Sequence, residues 1–285
     1  MTSAPEFILT LSCPDTTGIV YHVTGFLYER GCNVIDSAQF GDATTGLFFM
    51  RVHFSAPAPL DQPALAQAFE AVASKFRMDA RISDTRVKPR VLFMVSKYGH
   101  CLNDLLFRWA SGQLPMDIPA IVSNHTEYQP LAHSYRLPFF YLPVTAATKA
   151  EQEAKVLELV ERERVDLVVL ARYMQILSPA LCEALRGRAI NIHHSFLPSF
   201  KGAKPYYQAH DRGVKLIGAT AHYVTADLDE GPIIEQDVER VDHTMSAEDF
   251  TAVGRDIECR VLARAVRWHV EHRVLMNGHK SIIFR

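Results

Sequence analysis

Asn191 and His193 stand two positions apart in Asn191-Ile192-His193-His194-Ser195-Phe196-Leu197-Pro198-Ser199-Phe200. On an extended strand, residues two apart point the same way, so this amide and this imidazole would address one ligand atom together. An amide N–H can hold a developing oxyanion, and an imidazole that titrates near neutrality can pass a proton. Downstream, Asp227-Leu228-Asp229-Glu230-Gly231-Pro232-Ile233-Ile234 adds the Asp229 carboxylate. An amide, an imidazole and a carboxylate suit attack on a small acyl carbon. Each also has a plainer reading. Asn commonly ends strands and shapes turns. A lone His is more often structural, and a loop Asp beside Asp227 and Glu230 is by default a solvated charge.

The elements that would position these groups follow from the pattern. Residues 91–95 form an apolar run directly after Val87-Lys88-Pro89-Arg90, the best linker in the chain. Beyond it, helical stretches at 102–109 and 149–163 alternate with strands at 118–123, 166–171 and 189–193. The run at 166–171 is continuously apolar, as buried parallel strands are. Ser178-Pro179 opens a helix by the cap-then-proline pattern. Residues 216–225 and 233–238 read as paired strands joined through the Asp229 loop. A long helix at 245–273 and a hairpin at Asn277-Gly278 close the chain. Such alternation predicts a Rossmann-like α/β unit with an open, mostly parallel sheet. In these sheets ligands bind at the carboxyl ends of the strands, where Asn191 and His193 fall.

Before the linker the pattern differs. Phe7, Leu9 and Leu11 alternate as in a half-buried strand. Asp15-Thr16-Thr17-Gly18 offers a helix cap, and Ile19, Val23, Phe26 and Leu27 follow on one helical face. Strands at 33–40, 48–54 and 78–84 and a helix opening at Pro63 complete a βαββαβ order, the ferredoxin-like sandwich. Two domains are therefore expected, 1–86 and 87–285.

Several of these segments match a known family. Leu170-Ala171-Arg172-Tyr173-Met174-Gln175-Ile176-Leu177-Ser178-Pro179, the Asn191–Phe200 segment, Gly218-Ala219-Thr220-Ala221-His222-Tyr223-Val224 and the Asp229 loop together resemble the formyltransferases that use 10-formyltetrahydrofolate. The resemblance covers roughly residues 91–270. It implies that Asn191, His193 and Asp229 are the catalytic set, with His222 in support. It also implies that Met174, Gln175, Ile176 and Leu177 line the folate pocket, where a plain core reading is equally compatible. His194 stands where many of these enzymes have proline. The form Asn-Ile-His-His-Ser-Phe-Leu-Pro is similar to the hydrolytic branch, the formyltetrahydrofolate deformylases. There a second imidazole could help hold water or could simply pack.

The first unit, with Asp15-Thr16-Thr17-Gly18-Ile19 at its first strand-to-helix turn, looks like an ACT domain. That resemblance implies an amino-acid effector (glycine or methionine are the candidates) at Asp15 and Gly18, and pairing into a homo-oligomer. Shaping a turn explains Asp15 and Gly18 equally well.

Three observations favour water as the acceptor. The loop Ser96-Lys97-Tyr98-Gly99-His100-Cys101 has one glycine, where a phosphorylated acceptor would need a glycine-rich cradle. The chain ends soon after its long helix, without the further basic domain expected of a tRNA-formylating enzyme. An ACT-like unit ahead of a formyltransferase-like unit is the deformylase layout. The expected activity is hydrolysis of 10-formyltetrahydrofolate to tetrahydrofolate and formate. A formyltransferase to an amine and a non-catalytic folate or amino-acid sensor are the alternatives.

Composition is consistent with this reading. A net charge of -2 gives no reason to expect nucleic acid or an anionic membrane as partner. No basic-then-apolar leader stands at residues 1–5, and no apolar run reaches membrane length. Five scattered cysteines without a Cys-x-x-Cys pair read as reduced thiols of a cytoplasmic protein. No cofactor is expected. His193, His194, His210 and His222 cluster in sequence, but their spacing matches no metal motif. Adjacent His193 and His194 are expected to face opposite ways on an extended segment.

Overall fold

The computed structural model describes residues 4–197 and 205–285. Pro198, Ser199 and Phe200 of the Asn191–Phe200 segment lie outside the described residues, as do the first three of the chain. Contacts between Cα atoms divide the chain into two compact units. One holds the residues up to Lys88 together with His272–Arg285, the other Pro89–Glu271.

The first unit begins β1 (Glu6–Pro14), α1 (Ile19–Glu29), β2 (Asn33–Asp42), β3 (Leu47–Ser55), α2 (Gln62–Phe76), β4 (Asp79–Asp84). Its four strands lie in the order β2-β3-β1-β4, with antiparallel pairing. Phe7, Leu9 and Leu11 of β1 and Met50, Val52 and Phe54 of β3 are buried with Ile19, Val23, Phe26 and Leu27 of α1 and Leu65, Phe69 and Phe76 of α2. Each such side chain contributes about 1.5–3 kcal/mol on burial. The α1 cap falls in the Asp15–Gly18 segment that the sequence offers for it, with no side-chain hydrogen bond. Gly18 is the N-cap at φ 95, a left-handed turn that glycine reaches without strain. At α2 the Asp61 side chain accepts from Ala64 N, with proline in the first turn.

The second unit runs β5 (Val91–Val95), α3 (His100–Ala110), β6 (Ile121–Ser123), α4 (Gln129–Ser134), β7 (Phe139–Tyr141), α5 (Lys149–Arg162), β8 (Leu167–Ala171), α6 (Pro179–Ala184), β9 (Ala189–His193), α7 (Pro205–Asp211), β10 (Leu216–Tyr223), β11 (Ile233–Arg240) and α8 (Ala247–Val270). Seven strands lie in the order β11-β10-β9-β8-β5-β6-β7. Strands β5 to β9 pair in parallel, and β10 is antiparallel to both β9 and β11. All five residues of β5 and of β8 are buried, as strands covered on both faces must be. Ser178 caps α6 by accepting from Leu181 N, as its sequence predicts. The short β7, α4 and α7 carry too few residues for a periodic signal and are additions to the sequence reading.

The domain boundary needs correction at one end. Residues 87–285 were expected to form one unit, yet β12 (Val274–Asn277) and β13 (Lys280–Ile283) belong with the first. Leu275 and Phe284 cover Phe49, which faces away from the main core of that unit. Arg51 Nε donates to the His272 carbonyl (3.1 Å), and Asn277 Nδ2 donates to Asp42 Oδ2 (2.7 Å). The hairpin at Asn277-Gly278 thus exists, but it caps the outer face of β3.

Candidate functional site

Parallel strand β9 delivers Asn191 and His193 to its carboxyl end, and antiparallel β10 sets His222 directly opposite Asn191. Asp229 comes from the β10–β11 connection at φ 59, a left-handed conformation that Asp tolerates better than most residues. Gly231 fixes how that loop returns. A β-carbon there would fall 1.7 Å from the Tyr223 carbonyl oxygen, so only glycine permits so close an approach.

The four side chains form one connected group. Asp229 Oδ2 lies 3.2 Å from His193 Nδ1, and Oδ1 lies 3.6 Å from His222 Nε2. His222 Nδ1 donates to the Tyr223 carbonyl (2.9 Å), so a neutral ring has its Nε2 lone pair available to Asn191 Nδ2 at 3.3 Å. An amide nitrogen has two hydrogens, and this contact uses one. Asp229 holding Nδ1 leaves the ring's lone pair on His193 Nε2. That atom is buried and has no hydrogen-bond partner among the described residues. A buried polar atom without a protein partner is rare, and such an atom suits a ligand or a water.

Burial alone would push the Asp229 carboxyl up, but the His193 hydrogen bond and the nearness of both imidazoles outweigh it and hold the group well below the usual carboxylate range. It is therefore an anion throughout the neutral range, suited to orienting and stabilising an imidazolium rather than to giving a proton.

His194 does not face away from His193, as strand parity suggested. Strand β9 ends at His193, and the following bend brings the rings side by side, centroids 5.2 Å apart and planes 20° apart. Burial, then the nearby Arg172 charge, lowers His194 to about 4. The unfolded chain binds this proton near pH 6.5 and the folded protein only near 4. Stability is therefore full above pH 6.5 and falls as pH drops from 6.5 to about 4, where the loss levels off. Replacing His194 with Gln should remove up to about 3 kcal/mol of this acid sensitivity. Thermal melts of both proteins from pH 7.5 to 4 should diverge progressively, and parallel curves would refute the assignment.

Among the other sequence candidates, Met174 and Ile176 are 52% and 62% exposed, and Gln175 is exposed beside them. Leu177 is part of the core of the second unit. The segment after β8 therefore presents apolar side chains outward, with one buried anchor. In the first unit, Asp15 and Gly18 share the β1–α1 turn, where Asp15 N donates to the Gly46 carbonyl (2.9 Å). His210 is not part of the group. Its ring packs edge-on against Phe250 at 5.4 Å.

Sequence reasoning missed a second cluster. Glu258 of α8, 1% exposed, receives His100 Nε2 and the Tyr206 hydroxyl, each at 2.7 Å, and pairs with Arg172 Nε at 3.2 Å. Gly254 admits the Tyr206 ring, since a β-carbon there would lie 2.1 Å from it. His100, Cys101 and Glu258 lie within 4.8 Å of one another, close enough to suggest a metal site. The donors argue otherwise. Glu258 is already engaged by three groups, and burial pushes the Cys101 thiol well up, away from the thiolate that ligates metals. Arg172 was legible as a residue of the Leu170–Pro179 segment, but nothing in the sequence shows that its charge is buried.

An amide, two imidazoles and an ionised carboxylate at the carboxyl end of an open, mostly parallel sheet are the groups that acyl transfer can use. Residues 89–266 match the formyl transferase family. The chain is 50% identical to the formyltetrahydrofolate deformylase of Corynebacterium sp. (strain P-1) over the full length of both. The crystal structure of formyltetrahydrofolate deformylase from Burkholderia mallei is 56% identical, with a TM-score of 0.95 over 99% of this chain and 100% of that one. Glycinamide ribonucleotide transformylase 1 from Symbiobacterium toebii is 30% identical, with a TM-score of 0.65 over 70% of this chain and 95% of its own. The chain belongs to the formyl transferase family, among the formyltetrahydrofolate deformylases.

Proposed function

We propose that this protein hydrolyses 10-formyltetrahydrofolate to tetrahydrofolate and formate, with water as the formyl acceptor. The observation that carries the reading is the joined Asn191–His193–His222–Asp229 group with His193 Nε2 left open. Water adds to the formyl carbon as His193 Nε2 takes its proton. The oxygen that becomes negative takes the second Asn191 N–H. The imidazolium, held by Asp229, then gives its proton to N10. The C–N10 bond breaks, and formic acid ionises to formate. Removal of one oxyanion donor costs about 2.7–4 kcal/mol of barrier in comparable sites. His222 positions Asn191, and Met174, Gln175, Ile176 and Leu177 receive the pteridine. Neither metal nor cofactor takes part.

The same reading makes the first unit an ACT-type regulatory domain, with glycine or methionine as effector at Asp15 and Gly18. A homo-oligomer fits too. Strand β2 is an edge strand of ten residues with exposed Val34, Ile35 and Phe40, an arrangement that monomers usually blunt. Five free cysteines support a cytoplasmic location, and no helix among the described residues is long and apolar enough to cross a membrane.

The test is formate release from 10-formyltetrahydrofolate with no amine present and with chelator added. Multiple turnovers are expected. Turnover only when an amine is supplied would make the protein a transferase, and folate binding without turnover would make it a sensor.

A further inference from the structure

Arg172 carries a charge that the mechanism above does not use. It follows β8 directly and is 9% exposed. Its backbone has φ 64, a left-handed conformation unfavourable for a residue with a β-carbon. Nε lies 3.2 Å from Glu258 Oε2, close enough for an ion pair but not aligned for a hydrogen bond. Nε and Nη1 are both buried and have no hydrogen-bond partner among the described residues. Glu258 cannot turn to meet them, because His100 and Tyr206 hold its carboxylate. Unmade hydrogen bonds on a buried cation are costly, and backbone strain at the same residue adds to the cost. That combination marks a group kept for a ligand.

The position fits a ligand of the reacting centre. Glu258, 3.2 Å from Arg172 Nε, receives the Tyr206 hydroxyl, and the Tyr206 ring lies 6.4 Å from that of His194, which stacks on His193. Tyr98 covers one face of the guanidinium, with Cζ 5.6 Å from the ring centroid. The N–H groups lie in the guanidinium plane and remain for an acceptor at its edge.

We infer that Arg172 is an anion subsite that takes the oxygen delivered by water and then holds the formate product. The inference rests on the hydrolytic reading. Hydrolysis places two oxygens on one carbon and creates a small planar anion, the shape and charge that a guanidinium matches. An amine acceptor would arrive as an ammonium and offer these N–H groups no lone pair, so Arg172 would also select against it.

The test titrates carbon-13-labelled formate into wild type and Arg172→Gln, followed by NMR, with deformylation measured on the same preparations. Charge-assisted hydrogen bonds of this kind predict a formate affinity lower by roughly tenfold to a hundredfold in the variant. Binding within twofold of wild type in folded Arg172→Gln, or no saturable binding to wild type, overturns the inference. Should Arg172→Gln fail to fold, wild type labelled with nitrogen-15 arginine decides. Formate should move the Nε–H signal that Arg172→Lys lacks, and a signal that stays put at saturating formate overturns the inference. Arg172-dependent formate binding in a wild type that never turns over would refute the hydrolytic reading and leave the subsite standing. Turnover with formate binding indifferent to Arg172 would do the reverse.

Discussion

Asp229→Asn is expected to lower the turnover number about 10⁴-fold, the loss that a mis-set imidazole causes in an Asp–His pair, while tetrahydrofolate binds within about threefold of wild type. The substitution keeps volume and polarity, so the loop needs no repacking. What changes is the partner of His193. The carboxylate 3.2 Å from Nδ1 can only accept, which puts the ring proton on Nδ1 and leaves Nε2 basic. An amide can present its NH₂ instead and reverse the ring, placing the proton on Nε2, where the base is needed. Even with the amide oxygen facing Nδ1, the imidazolium formed during reaction loses its counter-charge. Single-turnover rates and tetrahydrofolate titration on one preparation separate the two effects. Wild-type-like turnover would remove Asp229 from the mechanism, and equal losses in binding and rate would make it a ground-state contact.

The parts of this molecule legible in its sequence are those with a local period. The strand at 91–95 and the stripe of Ile19, Val23, Phe26 and Leu27 follow from apolar spacing alone, because burial acts on every residue of the pattern. Asn191 and His193 were legible as a pair through strand parity. Asp229 was not, since nothing local separates it from Asp227 or Glu230. Only the family resemblance singled it out, and the structure shows why it differs. Gly231 closes the loop so that Asp229 turns inward to two imidazoles.

Parity failed at His194 because the strand ends one residue earlier, and a strand rule does not extend into a bend. The Arg172–Glu258 pair was illegible for another reason. Its members are 86 residues apart in sequence, and a buried cation is spelled like a surface one. The turn at Asn277-Gly278 is legible as a hairpin, but the unit that the hairpin joins is not. Its apolar residues ask only for a covering partner, and Phe49, the residue they cover, sits on the side of β3 that alternation assigns to solvent.

Asn191→Ala is expected to lower the turnover number 10²- to 10³-fold with little change in folate affinity. What sets the size of the effect is when the second N–H is used. In the resting site Asn191 Nδ2 contacts His222 Nε2 at 3.3 Å, a long bond that leaves the other hydrogen unspent. A neutral formyl oxygen attracts that hydrogen weakly. The tetrahedral oxyanion attracts it strongly, so the contact strengthens on the way to the transition state and the rate carries the loss. His222 supports this role from behind, since its Nδ1 is committed to the Tyr223 carbonyl and the ring cannot easily turn away from Asn191. Replacing His222 with Gln should therefore cost less than removing Asn191 and should add little on top of Asn191→Ala. Two residues acting through one hydrogen bond are not additive. Independent, fully additive losses would place His222 in proton transfer instead. A loss confined to KM in Asn191→Ala would make the amide a substrate anchor rather than an oxyanion donor.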